Sequence, residues 1–219
     1  MKKAYFDNAA TTQVRDEVIL KVSEVLREYG NPSSTHSFGR SSKSILEHCR
    51  KEIASLFKVT ASEIYFTSGG TEADNLILNS CVRDLQVARI ITSKIEHHAV
   101  LHTIEELSLK YDLQVDYVNL DFNGMVDYNH LEKLLKDRSK KTLVSLMHVN
   151  NEIGNQINLK QVADLCKENN ALFHSDTVQS VGHYNLDFSE ISIDFAAVSA
   201  HKFHGPKGVG FAFIRKNSG

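Results

Sequence analysis

The sequence predicts an α/β fold: about seven strands in a mostly parallel sheet, one strand antiparallel, with helices on both faces. Three observations carry this. From residue 63 onward, strand-sized apolar runs alternate with amphipathic helical stretches. Most of these runs are apolar or β-branched throughout, as strands covered on both faces are. The last two runs are separated only by HKFHGPKG, too short for a parallel crossover, so the final strand turns back antiparallel.

In chain order, AYFDNAATT reads as a short extended arm. QVRDEVILKVSEVLREYG (13–30) and SKSILEHCRKEIASLF (42–57) read as helices flanking the loop NPSSTHSFG. EIYFTS (63–68) is the first strand and turns on glycines into the helix GGTEADNLILNSCVRDL. ARIITSK (88–94) is the second, followed by the helix HHAVLHTIEELSLKY. QVDYVNL (114–120) is the third; the polar turn DFNG then leads to the helix YNHLEKLLKDRS. TLVSLMHV (142–149) is the fourth, running through NNEIG into LKQVADLCKEN. ALFHSDT (171–177), DFAAVSA (194–200) and VGFAFIR (209–215) complete the set.

Composition narrows the function. The chain has 219 residues, 42% hydrophobic and 24% charged, with a formal net charge of -2. That balance gives no electrostatic reason to expect nucleic acid or an anionic membrane as partner. No apolar run reaches transmembrane length, and MKKAYFDNAATT lacks the apolar stretch of a signal peptide. The expected compartment is the cytoplasm. Three widely spaced cysteines, Cys49, Cys81 and Cys166, form no CxxC pair, which fits a reducing environment. Cys49 and Cys166 lie in amphipathic stretches and are expected to pack as small hydrophobes.

In such sheets ligands bind outside the carboxyl ends of the strands, and there the polar residues collect. Gly70 and Thr71 follow the first strand, His97 the second, Asn151 the fourth, Asp176 and Gln179 the fifth. Ser199, His201 and Lys202 follow the sixth. A lysine at a strand mouth beside apolar surface loses hydration, so its amine becomes nucleophilic near neutral pH. That suggests a Schiff-base lysine. TSGGTEADN places glycines and hydroxyls at a helix start, either an N-cap or a phosphate site. Asp176, in an apolar run, is either a helix N-cap or a buried anion facing a cation such as a protonated pyridine nitrogen. His97 opens a helix, where its ring could stack on a flat cofactor and exchange protons. No metal is expected: HExxH is absent, and no cysteine completes a tetrahedral set with the histidines. Phosphate cradle, carboxylate, flat-ring partner and lysine together describe a pyridoxal 5′-phosphate site.

YFDNAATT, GNPSSTHSFG, FTSGGTEADN, EHHAV, HVNNEIG, HSDTVQSVG and SAHKFHGPKG occur in this order from Tyr5 to about Arg215. The set resembles the cysteine desulfurases of the nitrogen-fixation and iron–sulfur-cluster type. These are fold-type I pyridoxal-phosphate enzymes of the class V aminotransferase group. The resemblance implies Lys202 as the lysine carrying the cofactor, Asp176 as partner of the ring nitrogen and Gln179 as donor to the ring hydroxyl. It implies His97 stacked on the ring and Gly70, Thr71, Ser199 and His201 around the phosphate, with Asn151 near cofactor and substrate carboxylate. It further implies L-cysteine as substrate, alanine and a protein persulfide as products, a homodimer, and a sulfur acceptor or scaffold protein as partner.

The resemblance also implies an organisation. Residues 1–14 would be an arm belonging to the family's small domain, and 15–219 the cofactor-binding large domain. In the family the persulfide cysteine and the carboxylate-binding arginine lie in later sequence, with the rest of the small domain. The chain is therefore expected to be a cofactor-binding fragment not competent alone. Alternatives are another pyridoxal-phosphate lyase, such as a selenocysteine lyase, or a catalytically silent dimerisation or docking module.

Overall fold

Seven strands form a single sheet in the computed structural model, which describes residues 3–216 and 218. They are β1 (Ile64–Thr67), β2 (Arg89–Thr92), β3 (Gln114–Tyr117), β4 (Thr142–Ser145), β5 (Leu172–Asp176), β6 (Phe195–Ser199) and β7 (Gly210–Ile214). Their order across the sheet is β1-β7-β6-β5-β4-β2-β3. The expected antiparallel strand is β7, which runs against both of its neighbours, β6 and β1; the other pairings are parallel. The helices are α1 (Asp16–Val25), α2 (Ser37–Leu56), α3 (Gly70–Arg83), α4 (His98–Lys110), α5 (Tyr128–Leu135) and α6 (Leu159–Glu168).

Side chains alternate across a strand, so an all-apolar strand feeds two cores. Ile90, Leu143, Phe195, Ala197 and Ala212 point to the face covered by α3 and α4. Their neighbours Ile91, Val144, Ala196, Val198, Phe211 and Phe213 point to the face covered by α2, α5 and α6. On the second face Phe188 stacks between Phe57 and Phe213, both at 4.9 Å between ring centres. Arg89 is buried at one end of β2, where it bonds Asp116 at 2.5 Å and the Leu134 carbonyl at 2.9 Å. The pair and the carbonyl together satisfy a charge that would otherwise be costly there.

Three expectations change. The second helix begins at Ser37 rather than 42, because His36 caps it through Nδ1 to the Gly39 N–H at 3.3 Å. The first helix covers only Asp16–Val25 of the expected 13–30, and it buries none of its residues, so no packing extends it. Cys49 does not pack as a small hydrophobe: it is exposed, whereas Cys81 and Cys166 are sealed. Among the described residues no helix is long and apolar enough to cross a membrane.

Candidate functional site

Five strand ends converge on one cavity of about 400 Å³. All nine candidate residues line it: Gly70, Thr71, His97, Asn151, Asp176, Gln179, Ser199, His201 and Lys202. Each owes its place to a strand end plus a local turn. Lys202 closes a single 3-10 turn, Ala200–Lys202, rather than sitting in an open loop. His97 is the N-cap of α4, accepting the Ala99 N–H at 3.1 Å. No helix follows Asp176, so it is not a helix N-cap. Its Oδ1 instead accepts the Val178 N–H at 2.9 Å, closing a local turn.

The start of α3 is shaped by glycine. Gly69 has φ +155, a conformation L side chains rarely adopt. A Cβ on Gly70 would strike the Val178 side chain, so the backbone approaches the cavity only because no side chain is there. The Gly70 and Thr71 N–H groups have no carbonyl to reach within the helix. Together with the Ser199 hydroxyl and the His201 ring they make a donor set for an anion.

Sequence reasoning missed what the histidines beside Lys202 do. His201 Nδ1 lies 3.1 Å from Thr11 Oγ1, and its carbonyl accepts from the Thr12 N–H at 2.8 Å. His204 Nδ1 lies 2.9 Å from the Gln13 carbonyl. They strap the N-terminal arm across the cavity mouth. There the Ala9 carbonyl accepts from both Lys202 Nζ (2.5 Å) and Gln179 Nε2 (2.8 Å). Asp74 was also missed. It lines the cavity from the inner face of α3, and a carboxylate among Ala73, Ile77 and Leu78 was the available signal.

Burial sets the electrostatics. Desolvation holds the Lys202 amine below its ordinary range, against the pull of Asp176 and Asp7. Burial pushes Asp176 up to about 7, against the Val178 N–H that favours its anion. Burial also pushes Glu96 up to about 8, although Ser93 Oγ (2.7 Å) and the Met147 N–H (2.8 Å) donate to it. His148 and His174 fall to about 4 for the same reason. Among the described residues no group of three or more His, Cys, Asp or Glu could hold a metal.

These values predict a pH profile for the protein without ligand. The carboxyls are raised, so their contribution is full below their ordinary values and is lost as pH climbs through about 7 and 8. The two histidines are depressed, so theirs is full above about 6.5 and lost as pH falls toward 4. The two trends oppose each other below pH 6.5, and only the carboxyls act above it. Stability is expected to fall by about 1–3 kcal/mol between pH 6.5 and 8.5 in urea titrations. Glu96→Gln should flatten that fall; a wild-type protein that gains stability over this range would refute the assignment.

The fold and site define an α/β protein with a strand-end cavity that gathers one amine, a buried acid and an anion-binding helix start. The chain belongs to the aminotransferase class-V family, whose sequence profile matches residues 4–219. It is 42% identical to a cysteine desulfurase IscS from Dictyoglomus turgidum, over 99% of this chain and 55% of the relative. It is 40% identical to a putative cysteine desulfurase IscS 1 from Bacillus subtilis, over 99% of this chain and 57% of the relative. The chain thus spans just over half the length of these relatives. Among solved structures, a NifS-like protein matches with a TM-score of 0.93 at 41% identity, over 99% of this chain and 60% of the other. A structure described as SspA in complex with cysteine matches with a TM-score of 0.92 at 30% identity, over 99% and 63%.

Proposed function

We propose that this chain carries the cofactor-holding domain of a pyridoxal-phosphate-dependent cysteine desulfurase, with residues 1–14 as an arm over its mouth and 15–219 as the domain proper. One observation carries the reading: an amine, a buried acid, an amide donor and a helix start free to bind an anion line the same cavity. The residues fit the cofactor. Gly70 lets the start of α3 pack closely against Val178 at the cavity wall, the donor set suits a dianion, and Asp176 keeps an oxygen free of its Val178 bond. The named relatives, a cysteine desulfurase and a structure in complex with cysteine, support cysteine as the substrate; removing sulfur from L-cysteine leaves alanine.

When bound, the cofactor supplies an electron-withdrawing ring to an attached amino acid. The chain supplies the rest. Lys202 would provide the attachment amine, and its depressed basicity keeps a fraction of that amine unprotonated. Asp176 would hold the ring nitrogen's proton, Gln179 would donate to the ring hydroxyl, and His97 would cover the ring face. Lys202 Nζ and the His97 imidazole are the groups able to hold or move a proton. Asn151, now donating to Glu152 Oε1 at 2.6 Å, would turn to the substrate carboxylate. Sulfur acceptance falls to none of the described thiols: burial raises Cys81 to about 12 and pushes Cys166 well above its ordinary range, and Cys49 does not line the cavity. The complete protein would act as a homodimer delivering sulfur to an acceptor protein. The three free cysteines support a reducing compartment, the cytoplasm.

Parallel titration with pyridoxal phosphate and with pyridoxal tests the reading. The phosphate form should bind roughly ten-fold tighter or better. Equal binding of the two, or no binding, overturns it. Comparing alanine release from cysteine and selenocysteine then separates desulfurase from selenocysteine lyase. Gly70→Ala should weaken pyridoxal phosphate roughly ten-fold, because the new methyl strikes Val178 and forces that side chain or the start of α3 to shift. An unchanged titration curve would remove Gly70 from the cradle.

A further inference from the structure

Asp74 and His174 face each other in a sealed space behind the cavity. His174 Nε2 lies 3.3 Å from Asp74 Oδ1, with side chains 0% and 1% exposed. Among the described residues neither of these two atoms has any other polar partner. On the far side of the ring, His174 Nδ1 lies 2.9 Å from Ser145 Oγ. Asp74 also lines the cavity that holds Asp176, two residues after His174 on β5. Two carboxylates so placed, without a cation between them, cannot both ionise cheaply.

The surroundings decide which one keeps the proton. Asp176 accepts the Val178 N–H and feels His97 and Lys202 across the cavity. Among the described residues no N–H or O–H other than the imidazole reaches Asp74 Oδ1, and burial alone raises this carboxyl well above its ordinary range. The imidazole cannot serve as a cation, because burial keeps it neutral until about pH 4. The 2.9 Å contact with Ser145 Oγ allows either tautomer of a neutral ring; the one whose Nδ1–H donates to Ser145 presents a lone pair at Nε2. That lone pair suits a protonated carboxyl and not a carboxylate.

We propose that Asp74 is a charge-setting residue, held as a neutral acid that donates its proton to His174 Nε2, so that Asp176 ionises alone. The cavity then offers a single anion to a cationic ring. Only the identity of that cation rests on the cofactor reading above. Asp74 is a positioning residue here, acting through the charge on Asp176.

Carboxyl carbon NMR of the ligand-free chain, labelled at aspartate, tests this across pH 5 to 9. One buried signal should ionise near neutrality and vanish in Asp176→Asn. A second should stay protonated past pH 8 and vanish in Asp74→Asn. Because Asn replaces neutral by neutral, Asp74→Asn should leave the Asp176 midpoint within about half a unit. A fall of about one unit or more would mean that Asp74 is an anion in the native protein, overturning the proposal. Should that variant not fold, the ring nitrogens of wild-type His174 decide alone: Nδ1 protonated and Nε2 bare from pH 6 to 8 is expected, and a protonated Nε2 overturns it. Added pyridoxal phosphate forms a separate arm. Failure of wild type to bind it would remove the cofactor reading and leave the NMR result intact.

Discussion

Lys202→Ala is expected to abolish covalent capture of pyridoxal phosphate. In the wild-type chain, borohydride reduction after incubation should leave a stable label on a single peptide containing Lys202. The variant should carry no label above the scatter over its other lysines, a loss of at least about 100-fold. The expectation follows from position: among the described residues Lys202 is the one lysine lining the cavity, and burial depresses its basicity. Its ammonium is also held by the Ala9 and Ala10 carbonyls, at 2.5 and 3.1 Å, so capture requires those bonds to open. Removing the side chain frees the Ala9 carbonyl to Gln179 alone and should cost little stability. A variant that folds with an unchanged melting curve and still gives the labelled peptide pattern would remove Lys202 from its role.

Phe188→Ala is expected to destabilise the chain by about 3–5 kcal/mol, in equilibrium urea unfolding. Phe188 is fully buried between two other rings, and its N–H donates to the Phe57 carbonyl at 3.0 Å. Truncation leaves a ring-sized void where the end of α2, the segment before β6, and β7 meet, and each is anchored elsewhere and cannot collapse to fill it. Against a typical domain stability of about 5–15 kcal/mol that is a large fraction. Phe188→Leu should recover more than half of the loss. A truncation costing less than about 1 kcal/mol would show that this core is not close-packed.

Much of the fold was legible because its strands are apolar on both faces. FAAVS and TLVS carry no polar-out alternation, and that pattern requires cover on two sides. The antiparallel β7 was legible from the length of the connection before it. Strand ends were legible because a polar residue closing an apolar run has nowhere else to be. Helix starts were less so: His36 is an uncommon cap, and nothing local to it announces that Ser37 begins the helix. Cys49 fails for a related reason. It sits on an amphipathic helix, but rotation by one position carries a side chain from the buried stripe to solvent.

The sequence by itself determined the layer architecture, the family and the nine candidate residues, since periodicity and short motifs are local properties of the chain. What only the tertiary structure decided lies between segments far apart in sequence. The histidines around Lys202 hold the arm at residues 11–13, nearly two hundred residues away. Asp74 meets His174 across the α3–sheet interface, and the proposed division of charge between Asp74 and Asp176 rests on that meeting. Protonation of a buried group depends on the dielectric and the neighbours around it, and neither exists until the chain has folded.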